Sequence, residues 1–283
     1  MALSTKAPSA KPGSLEAISG SLATFYHRRW LIWYLVQRQM ARMYQGSYLG
    51  LVWAFLGPLM MVVMLTLIFS EIIGIKFREI TGDSSLNFGL YLYCGLLPFL
   101  AFSQALTLGV NIVRRNSDLV QKVVFPQEII TLPPVLTSLI QNALGVGALM
   151  LVLVVLDQRL HWTAFLLPLV VLPQLLFTLG LCYLMAVAGA YVPDIREFLR
   201  AGVRATFFLT PIIWPAERIP ESFRFLVDYN PLAFLVEAYR GLILNGELPH
   251  GMAYIYFSLF AVALCGAGLV VFNRVKHKFA ELI

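Results

Sequence analysis

Long apolar runs separated by short polar segments dominate the pattern of this sequence. Crossing about 30 Å of hydrocarbon takes about 20 helical residues. Each run is apolar on all sides rather than along one stripe, as expected for helices that face lipid or the inside of a bundle. The pattern predicts an all-α polytopic membrane protein with six transmembrane helices, of which the fifth is short, at 51–73, 86–110, 129–156, 163–191, 198–214 and 252–272.

A segment before the first span departs from this pattern. At 100° per residue one helix face collects mostly aromatic and uncharged side chains, Trp30, Trp33, Tyr34, Gln37, Met40, Ala41 and Tyr44. Arg38 and Arg42 point away from that face. An amphipathic helix lying in the membrane interface over 30–48 is the predicted structure. The alternative is a simple downward extension of the first span.

The connection at 215–251, between the last two spans, is long yet apolar in places. Its best apolar run, 232–244, is interrupted by two charged residues and is too short to cross a membrane. Pro231 follows Asn230 and suits the first turn of a helix. We expect two short re-entrant helices, which are tolerated only where protein or a water-filled cavity covers them. They predict an outer gate containing Tyr229, Asn230, Pro231, Glu237 and Arg240. An amphipathic helix resting on the outer surface is the alternative.

Composition supports a membrane protein. Of the 283 residues 59% are hydrophobic and 13% are charged, against about 25% charged residues in soluble domains. Residues 1–25, rich in Ala, Ser, Lys and Pro, are predicted to be a flexible tail, and 26–283 the membrane domain. The three cysteines lie in apolar runs and are interpreted as small core residues.

The charge distribution predicts the orientation. With both termini in the cytoplasm, 15 of the 21 Lys and Arg residues fall in inner segments. This is the positive-inside pattern of membrane proteins, so the net charge of +6 is not interpreted as a nucleic-acid signal.

Missing motifs narrow the function. The sequence has no phosphate-binding loop, no His/Glu spacing that would hold a metal and no evident Ser-His-Asp set. No acidic residue stands in the middle of a span, which disfavours a proton- or ion-coupled transporter. Backbone carbonyls of broken helices can still bind ions, so that class stays open. The sequence indicates a pore-forming domain whose energy comes from a partner.

Four motifs carry a resemblance to a known family. They are Arg42, Tyr44, Ser47, Leu49, Gly50, Trp53, Leu56 and Pro58 before the first span, Tyr191–Arg196, Thr210–Pro215 and Tyr229–Ala233. In this order, at these span boundaries, they resemble the transmembrane subunits of ABC polysaccharide exporters, the Wzm, TagG and KpsM-like permeases. The resemblance covers nearly the whole chain after about residue 25.

The resemblance implies a homodimer in the bacterial inner membrane with two copies of a separate ATPase, which bind ATP and Mg. This chain would hold no cofactor and would not be an enzyme. The substrate would be a lipid-linked polysaccharide, most simply O antigen on undecaprenyl diphosphate. Family precedent puts the first and fifth spans at the channel and the re-entrant helices at its exit.

Candidate site residues follow from the residues and the resemblance together. Arg28, Arg29, Arg38 and Arg42 are candidates for the lipid diphosphate, although anionic membrane lipid explains them equally well. The segment 111–128 resembles the helix that docks into the ATPase, with Arg114, Arg115, Asp118, Lys122 and Pro126, or is an ordinary basic loop. Candidate channel aromatics are Phe55, Phe69, Phe207, Phe208 and Trp214, which otherwise serve packing. Structural roles, a helix cap or a salt bridge, are assigned to Asp194 and Arg196.

Other functions stay open on the sequence alone. A capsule or teichoic acid exporter and a drug or lipid exporter belong to the same class. A membrane-embedded transferase would need paired carboxylates, for which Asp194 and Glu197 are the nearest inner pair. A passive channel would work without nucleotide.

Overall fold

The computed structural model describes residues 14–74, 88–122, 126–156, 160–192, 194–216 and 219–279. These residues form helices joined by short turns, with no strand among them. In chain order the α-helices are α1 (Ser14–His27), α2 (Arg29–Met43), α3 (Trp53–Thr66), α4 (Phe88–Gly109), α5 (Ile112–Arg115), α6 (Ser117–Lys122), α7 (Leu132–Val155), α8 (Leu167–Tyr191), α9 (Ile195–Leu209), α10 (Phe225–Asp228), α11 (Pro231–Arg240) and α12 (Gly251–Val275).

Four helices in the described part of the chain are long and apolar enough to cross a membrane: α4, α7, α8 and α12. They coincide with the predicted second, third, fourth and sixth spans, with bounds shifted by a few residues, and qualify as candidate spans by length and composition. Short 3₁₀ segments, Gln127–Thr131 and Trp162–Leu166, lead into α7 and α8. Helix α4 lies at the centre, since every residue from Phe88 to Phe99 is buried.

Helices α8 and α12 form the tightest pair in the bundle. At Gly180 of α8, a Cβ atom would lie 2.7 Å from backbone atoms of Leu264 and Cys265 on α12. Gly268 of α12 in turn faces the backbone of Gly180. Glycine is needed here because the two backbones leave no room for a side chain.

The first predicted span begins with a 3₁₀ turn at Gly50–Val52 and continues through α3 into a π-helical segment, Leu67–Ile72. Val62 is buried against the bundle, whereas Met60, Val63 and Met64 are exposed. This helix therefore has one packed side and one open apolar side. Its role as a span stays a prediction.

The predicted fifth span, 198–214, differs from the structure. Helix α9 ends at Leu209, so the predicted end was wrong. The chain turns extended at Thr210, because a residue before proline is disfavoured in the helical region. Fifteen residues rise only about 22 Å. Arg196, Arg200 and Arg204 follow one another at every fourth position, so α9 is amphipathic rather than apolar all round.

Two short helices, α10 and α11, occupy the connection at 215–251, and their re-entrant position on the outer side stays a prediction. Helix α11 begins at Pro231, and Asn230 caps it by accepting a hydrogen bond from the backbone N–H of Leu232 at 2.9 Å. The helix continues as a π-helical segment, Gly241–Asn245. Most of its side chains are buried, including Leu235 and Tyr239. Helix α11 is therefore embedded in the protein rather than laid on its surface.

The N-terminal region corrects the sequence prediction. The tail was predicted to be flexible up to residue 25, whereas helix α1 begins at Ser14. Asn273 Nδ2, near the end of α12, donates a hydrogen bond to Ser21 Oγ at 3.1 Å, and Ser21 is buried. This contact and the packing of α1 on α12 explain why the segment is helical. Residues 1–13 lie outside the described residues.

Helix α2 corresponds to the predicted interfacial helix, but it begins at Arg29 and ends at Met43 rather than at 48. Its aromatic face points outward, since Trp30 is 75% exposed and Trp33 and Tyr34 are also exposed. Leu35 and Val36 are buried on the opposite side. The exposed aromatic face suits a membrane interface, and that location stays a prediction.

Candidate functional site

A cavity of about 210 Å³ lies between α2, the end of α4, the short helices α5 and α6, and the start of α7. Three arginines line it: Arg38, Arg42 and Arg115. Gln39 and Asn116 add neutral polar groups, and no acidic residue belongs to the lining. We name this the basic cavity.

Local sequence explains how the arginines converge. Arg38 and Arg42 lie four residues apart, so they share one side of α2. Burial of Leu35 and Val36 turns that side towards the bundle. Arg115 is the last residue of α5 and reaches the cavity from the other wall.

The lining that surrounds these three positive charges contains no acidic side chain. Guanidinium groups match the oxygens of phosphate and carboxylate with paired hydrogen bonds. The cavity is therefore suited to an anion of phosphate size.

The other two predicted headgroup arginines do not line this cavity. Arg28 stands at the start of α2 and is exposed. The guanidinium of Arg29 lies over the Tyr26 ring, 5.2 Å from its centroid. The structure thus separates this pair from Arg38 and Arg42.

The predicted coupling segment forms two short helices, α5 and α6. Arg114 and Arg115 have different surroundings. Arg114 Nη2 donates to the carbonyl of Ala190 at 3.2 Å and so fastens α5 to the end of α8. Asp118 is exposed in the first turn of α6, and the side chain of Lys122 lies outside the described residues.

The far end of this segment is held by an ion pair that sequence reasoning missed. Pro126 leads into a 3₁₀ turn, and the buried Glu128 accepts from Lys276 Nζ at 2.8 Å. Tyr183 Oη donates to the carbonyl of Glu128 at 3.0 Å. The signal in the sequence that could have indicated this ion pair was Glu128 itself, a single acidic residue at the edge of an apolar run. The contact joins the segment to the last helix.

The predicted channel aromatics do not form one group. Phe69 packs edge-on against Phe88, and Phe207 packs against Phe99 with centroids 5.4 Å apart. Phe208 is exposed on α9, and Trp214 Nε1 donates back to its carbonyl at 3.3 Å. Phe55 is half-buried on α3. Lining of a channel by these residues stays a prediction.

Arg240 is the most buried charged side chain in the described part of the chain, at 1% exposure. Its guanidinium donates to the carbonyls of Pro211 and Ile212, both at 2.7 Å, and to Glu237 Oε1 at 3.0 Å. It also lies 3.6 Å from the centroid of the Tyr91 ring. Arg240 therefore ties α11 to the turn after α9 and to α4.

Asn230 supports the same connection, since its Nδ2 donates to Thr210 Oγ1 at 3.1 Å. Tyr229 is exposed beside it. Four of the predicted outer-gate residues therefore lie on α11 or at its start. Two of them, Asn230 and Arg240, donate hydrogen bonds to the chain where α9 ends. The partners of Arg240 were not predicted, because Pro211, Ile212 and Tyr91 are distant from it along the chain.

The inner-loop prediction was partly wrong. Asp194 precedes α9, but its side chain makes no capping hydrogen bond. Its carbonyl instead accepts from the backbone N–H groups of Glu197 and Phe198. The ion pair in this region joins Glu197 and Arg200 at 2.7 Å and is exposed. Arg196 is half-buried at the start of α9.

Comparison with known proteins places the chain in a family. A family model described as ABC-2 type transporter matches residues 31–244. The chain belongs to this family. It is 30% identical to an O-antigen export system permease protein of Myxococcus xanthus, over 91% of this chain and 97% of the relative. It is 27% identical to an O-antigen export system permease protein of Klebsiella pneumoniae, over 85% and 90%. A polysialic acid transport protein of Escherichia coli is 27% identical over 80% and 85%.

The matched part of this ABC-2 family chain begins in α2 and ends in the π-helical segment after α11. It therefore contains the whole basic cavity as well as Arg240. Helices α1 and α12 lie outside it. The ion pair between Glu128 and Lys276 links the matched part to the last helix.

Proposed function

We propose that this chain is the membrane permease of an ATP-driven exporter that moves a lipid-linked polysaccharide across the bacterial inner membrane. O antigen on undecaprenyl diphosphate is the substrate that we expect first. The observation that carries the proposal is the similarity to O-antigen export permeases over nearly their whole length. The polysialic acid relative makes a capsular polymer the second candidate.

The permease works with partners. Two copies of the chain form the channel, and two copies of a separate ATPase bind ATP and Mg on the cytoplasmic side, where both termini lie. This chain performs no covalent chemistry. The support comes from the family match and from the four long apolar helices.

The basic cavity receives the diphosphate of the lipid carrier. Three guanidinium groups in a wall that contains no acidic residue favour a doubly charged group that accepts several hydrogen bonds. The lipid tail would stay in the bilayer, close to the exposed aromatic face of α2. Because the basic cavity would bind the diphosphate, binding there would not depend on the sugar sequence, which suits a polymer exporter.

Coupling follows from the shared wall of the cavity. Helices α5 and α6 supply Arg115 and Leu119 on one side, and α2 supplies Arg38 and Arg42 on the other. An ATPase that presses on α6 would change the distance between these two sides. At the outer end, Arg240 makes α11 move with the turn after α9.

The test is reconstitution of the permease with its ATPase in proteoliposomes and measurement of ATP-dependent transfer of radiolabelled lipid-linked polymer. Transfer that requires both proteins and ATP supports the exporter. Transfer by the permease alone, at the same rate with and without ATP, would establish a passive channel instead.

The role of the basic cavity is tested in the same assay. We expect Arg38→Ala with Arg42→Ala to abolish most transfer, and the corresponding Lys pair to restore only part, because Lys lacks the paired donors. Arg29→Ala is the matched control, since Arg29 lies on the same helix outside the cavity. Full restoration by Lys would favour a general attraction to anionic lipid.

A further inference from the structure

A second cavity, of about 330 Å³, lies between α3, α4 and α7. Its walls come from the first half of α3, the middle of α4 and the middle of α7, so it sits within the helical bundle. Its volume is within the range of pockets that hold small molecules. We name it the neutral cavity.

The lining is polar without being charged. No Asp, Glu, Lys, Arg or His belongs to it. Seven side chains with hydrogen-bonding groups converge there from α4, from α7 and from the residue after α2, namely Tyr44, Tyr93, Ser103, Gln104, Ser138, Gln141 and Asn142. Such a concentration is unusual between long apolar helices, where polar side chains mark pathways and sites.

The donors of the two neighbouring amides are already used. Gln141 Nε2 donates to Tyr44 Oη at 2.9 Å, and Asn142 Nδ2 donates to Tyr239 Oη at 2.6 Å. Their oxygens, Gln141 Oε1 and Asn142 Oδ1, are buried without a partner. Asn142 as a whole is 94% buried, its exposure being 6%. Both oxygens are closed off from the cavity, whereas the hydroxyl of Ser103 donates to the carbonyl of Leu100 at 3.1 Å and keeps oxygen lone pairs that can accept from a ligand.

These observations define the ligand by its chemistry. It must be neutral, because the wall offers no counter-charge, and it must bring hydrogen-bond donors, because the wall has acceptors to spare. A sugar ring meets both conditions through its hydroxyls, and its C–H faces suit the aromatic rings of Tyr44 and Tyr93 in the wall. We propose that the neutral cavity binds one neutral sugar unit of the exported polymer.

The position of the two cavities supports this assignment, which rests on the proposed function. Met43 lines the basic cavity, and its neighbour Tyr44 lines the neutral one. Gln141 contacts both, since its Nε2 lies 3.6 Å from Met43 Sδ and 2.9 Å from Tyr44 Oη. The two cavities therefore have neighbouring residues in their walls. The sugar nearest the diphosphate is the unit that reaches the neutral cavity.

The experiment measures binding to the purified full-length permease in lipid nanodiscs by equilibrium dialysis. The first probe is the radiolabelled glycan that mild acid releases from the cell's own lipid-linked polymer, which leaves the diphosphate behind. The second probe is inorganic pyrophosphate, which reports on the basic cavity. The variant is Gly57→Phe, because Gly57 lines the neutral cavity and a Cβ there meets no atom within 4 Å. Gly147→Phe is its matched control, because Gly147 is equally open but lies outside the cavity.

We expect Gly57→Phe to weaken glycan binding by about tenfold or more, the scale of two lost hydrogen bonds, and to leave pyrophosphate binding unchanged. Gly147→Phe should change neither. If Gly57→Phe fails to fold, Gln104→Leu removes a polar wall group and should weaken the glycan alone.

The proposal is overturned if the wild-type protein binds no glycan, which would mean that the cavity holds water only, or if both cavity variants bind it normally. Either result would leave the exporter assignment standing, provided that ATP-dependent transfer of the lipid-linked polymer is seen. Loss of that transfer in the wild-type assembly would instead refute the proposed function.

Discussion

Replacement of Arg240 by Met gives the sharpest test of how α11 is held in the protein. Methionine keeps much of the length and apolar volume of the side chain but removes every donor. The carbonyls of Pro211 and Ile212 then lose charged hydrogen bonds of 2.7 Å each, and the Tyr91 ring loses its cation. We expect α11 to separate from the turn after α9 while the long helices stay assembled.

The size of the effect follows from these contacts. Each charged hydrogen bond contributes about 1.5–3 kcal/mol. The bond to Glu237 adds little, because that carboxylate is 39% exposed and stays hydrated. Removing the guanidinium also removes its desolvation cost, which offsets part of the loss. A net destabilisation of about 3–5 kcal/mol makes local opening about 10²–10⁴ times more frequent.

The assay is the rate at which N-ethylmaleimide modifies Cys94 in the folded permease. Cys94 is buried on α4, and its neighbour Gly95 packs against the Arg240 guanidinium, so local opening exposes it. Cys182, buried on α8, is the reference within the same molecule. Arg224→Met is the control variant, since Arg224 is 69% exposed and lies 4.0 Å from Asp228.

We expect Arg240→Met to accelerate modification of Cys94 alone, and Arg240→Lys to give an intermediate rate because one ammonium group cannot reproduce the guanidinium fork. A change of no more than about twofold in Arg240→Met, the scale of an exposed substitution, would refute the reasoning. Equal acceleration at Cys182 would show global unfolding instead of the release of α11.

Three further predictions are checked by thermal unfolding in one detergent. Gly180→Ala should lower the free energy of unfolding by at least about 1–3 kcal/mol, because the new methyl group meets backbone atoms of α12. Gly147→Ala should be neutral or stabilising, and equal effects of the two substitutions would contradict the packing. Lys276→Ala should lower the free energy of unfolding by about 2 kcal/mol, and by less in a protein that already carries Glu128→Gln. An equal loss in both proteins would exclude the ion pair as its cause. Asn230→Ala should cost about 1 kcal/mol through its lost cap, and Asn230→Asp less; identical losses would argue against capping.

Much of the fold was predictable because lipid imposes strong rules on sequence. Long apolar runs gave four of the helices that qualify as spans, and the Asn230–Pro231 pair gave the start of α11. These features depend on neighbours along the chain. The helical state of 14–25 was missed because it depends on packing against α12, which no local pattern reveals.

The fifth predicted span shows how a reading of average hydropathy misleads. Arg196, Arg200 and Arg204 recur every four residues, which is the period of one helix face. This spacing of the three arginines predicts an amphipathic helix that begins near Asp194. The apolar residues that follow instead drew the predicted span on to 214, beyond the point where Pro211 ends the helix.

The candidate site was predicted in parts that only the fold unites. Arg38 and Arg42 were assigned to the lipid headgroup and Arg115 to the ATPase, because they stand more than 70 residues apart. The structure puts all three around one cavity. The two roles were therefore assigned separately because the sequence does not show which distant residues meet in the fold.

This convergence has a mechanical consequence for the proposed export cycle. Both ends of the coupling segment are fixed, by Arg114 to the end of α8 and by Glu128 to Lys276. A force that an ATPase applies to α6 between these two points cannot simply shift the whole segment. It must bend the segment, and the wall that bends carries Arg115. Substrate charge and nucleotide state would then act on the same side chain, so that each could sense the other without a longer pathway through the bundle.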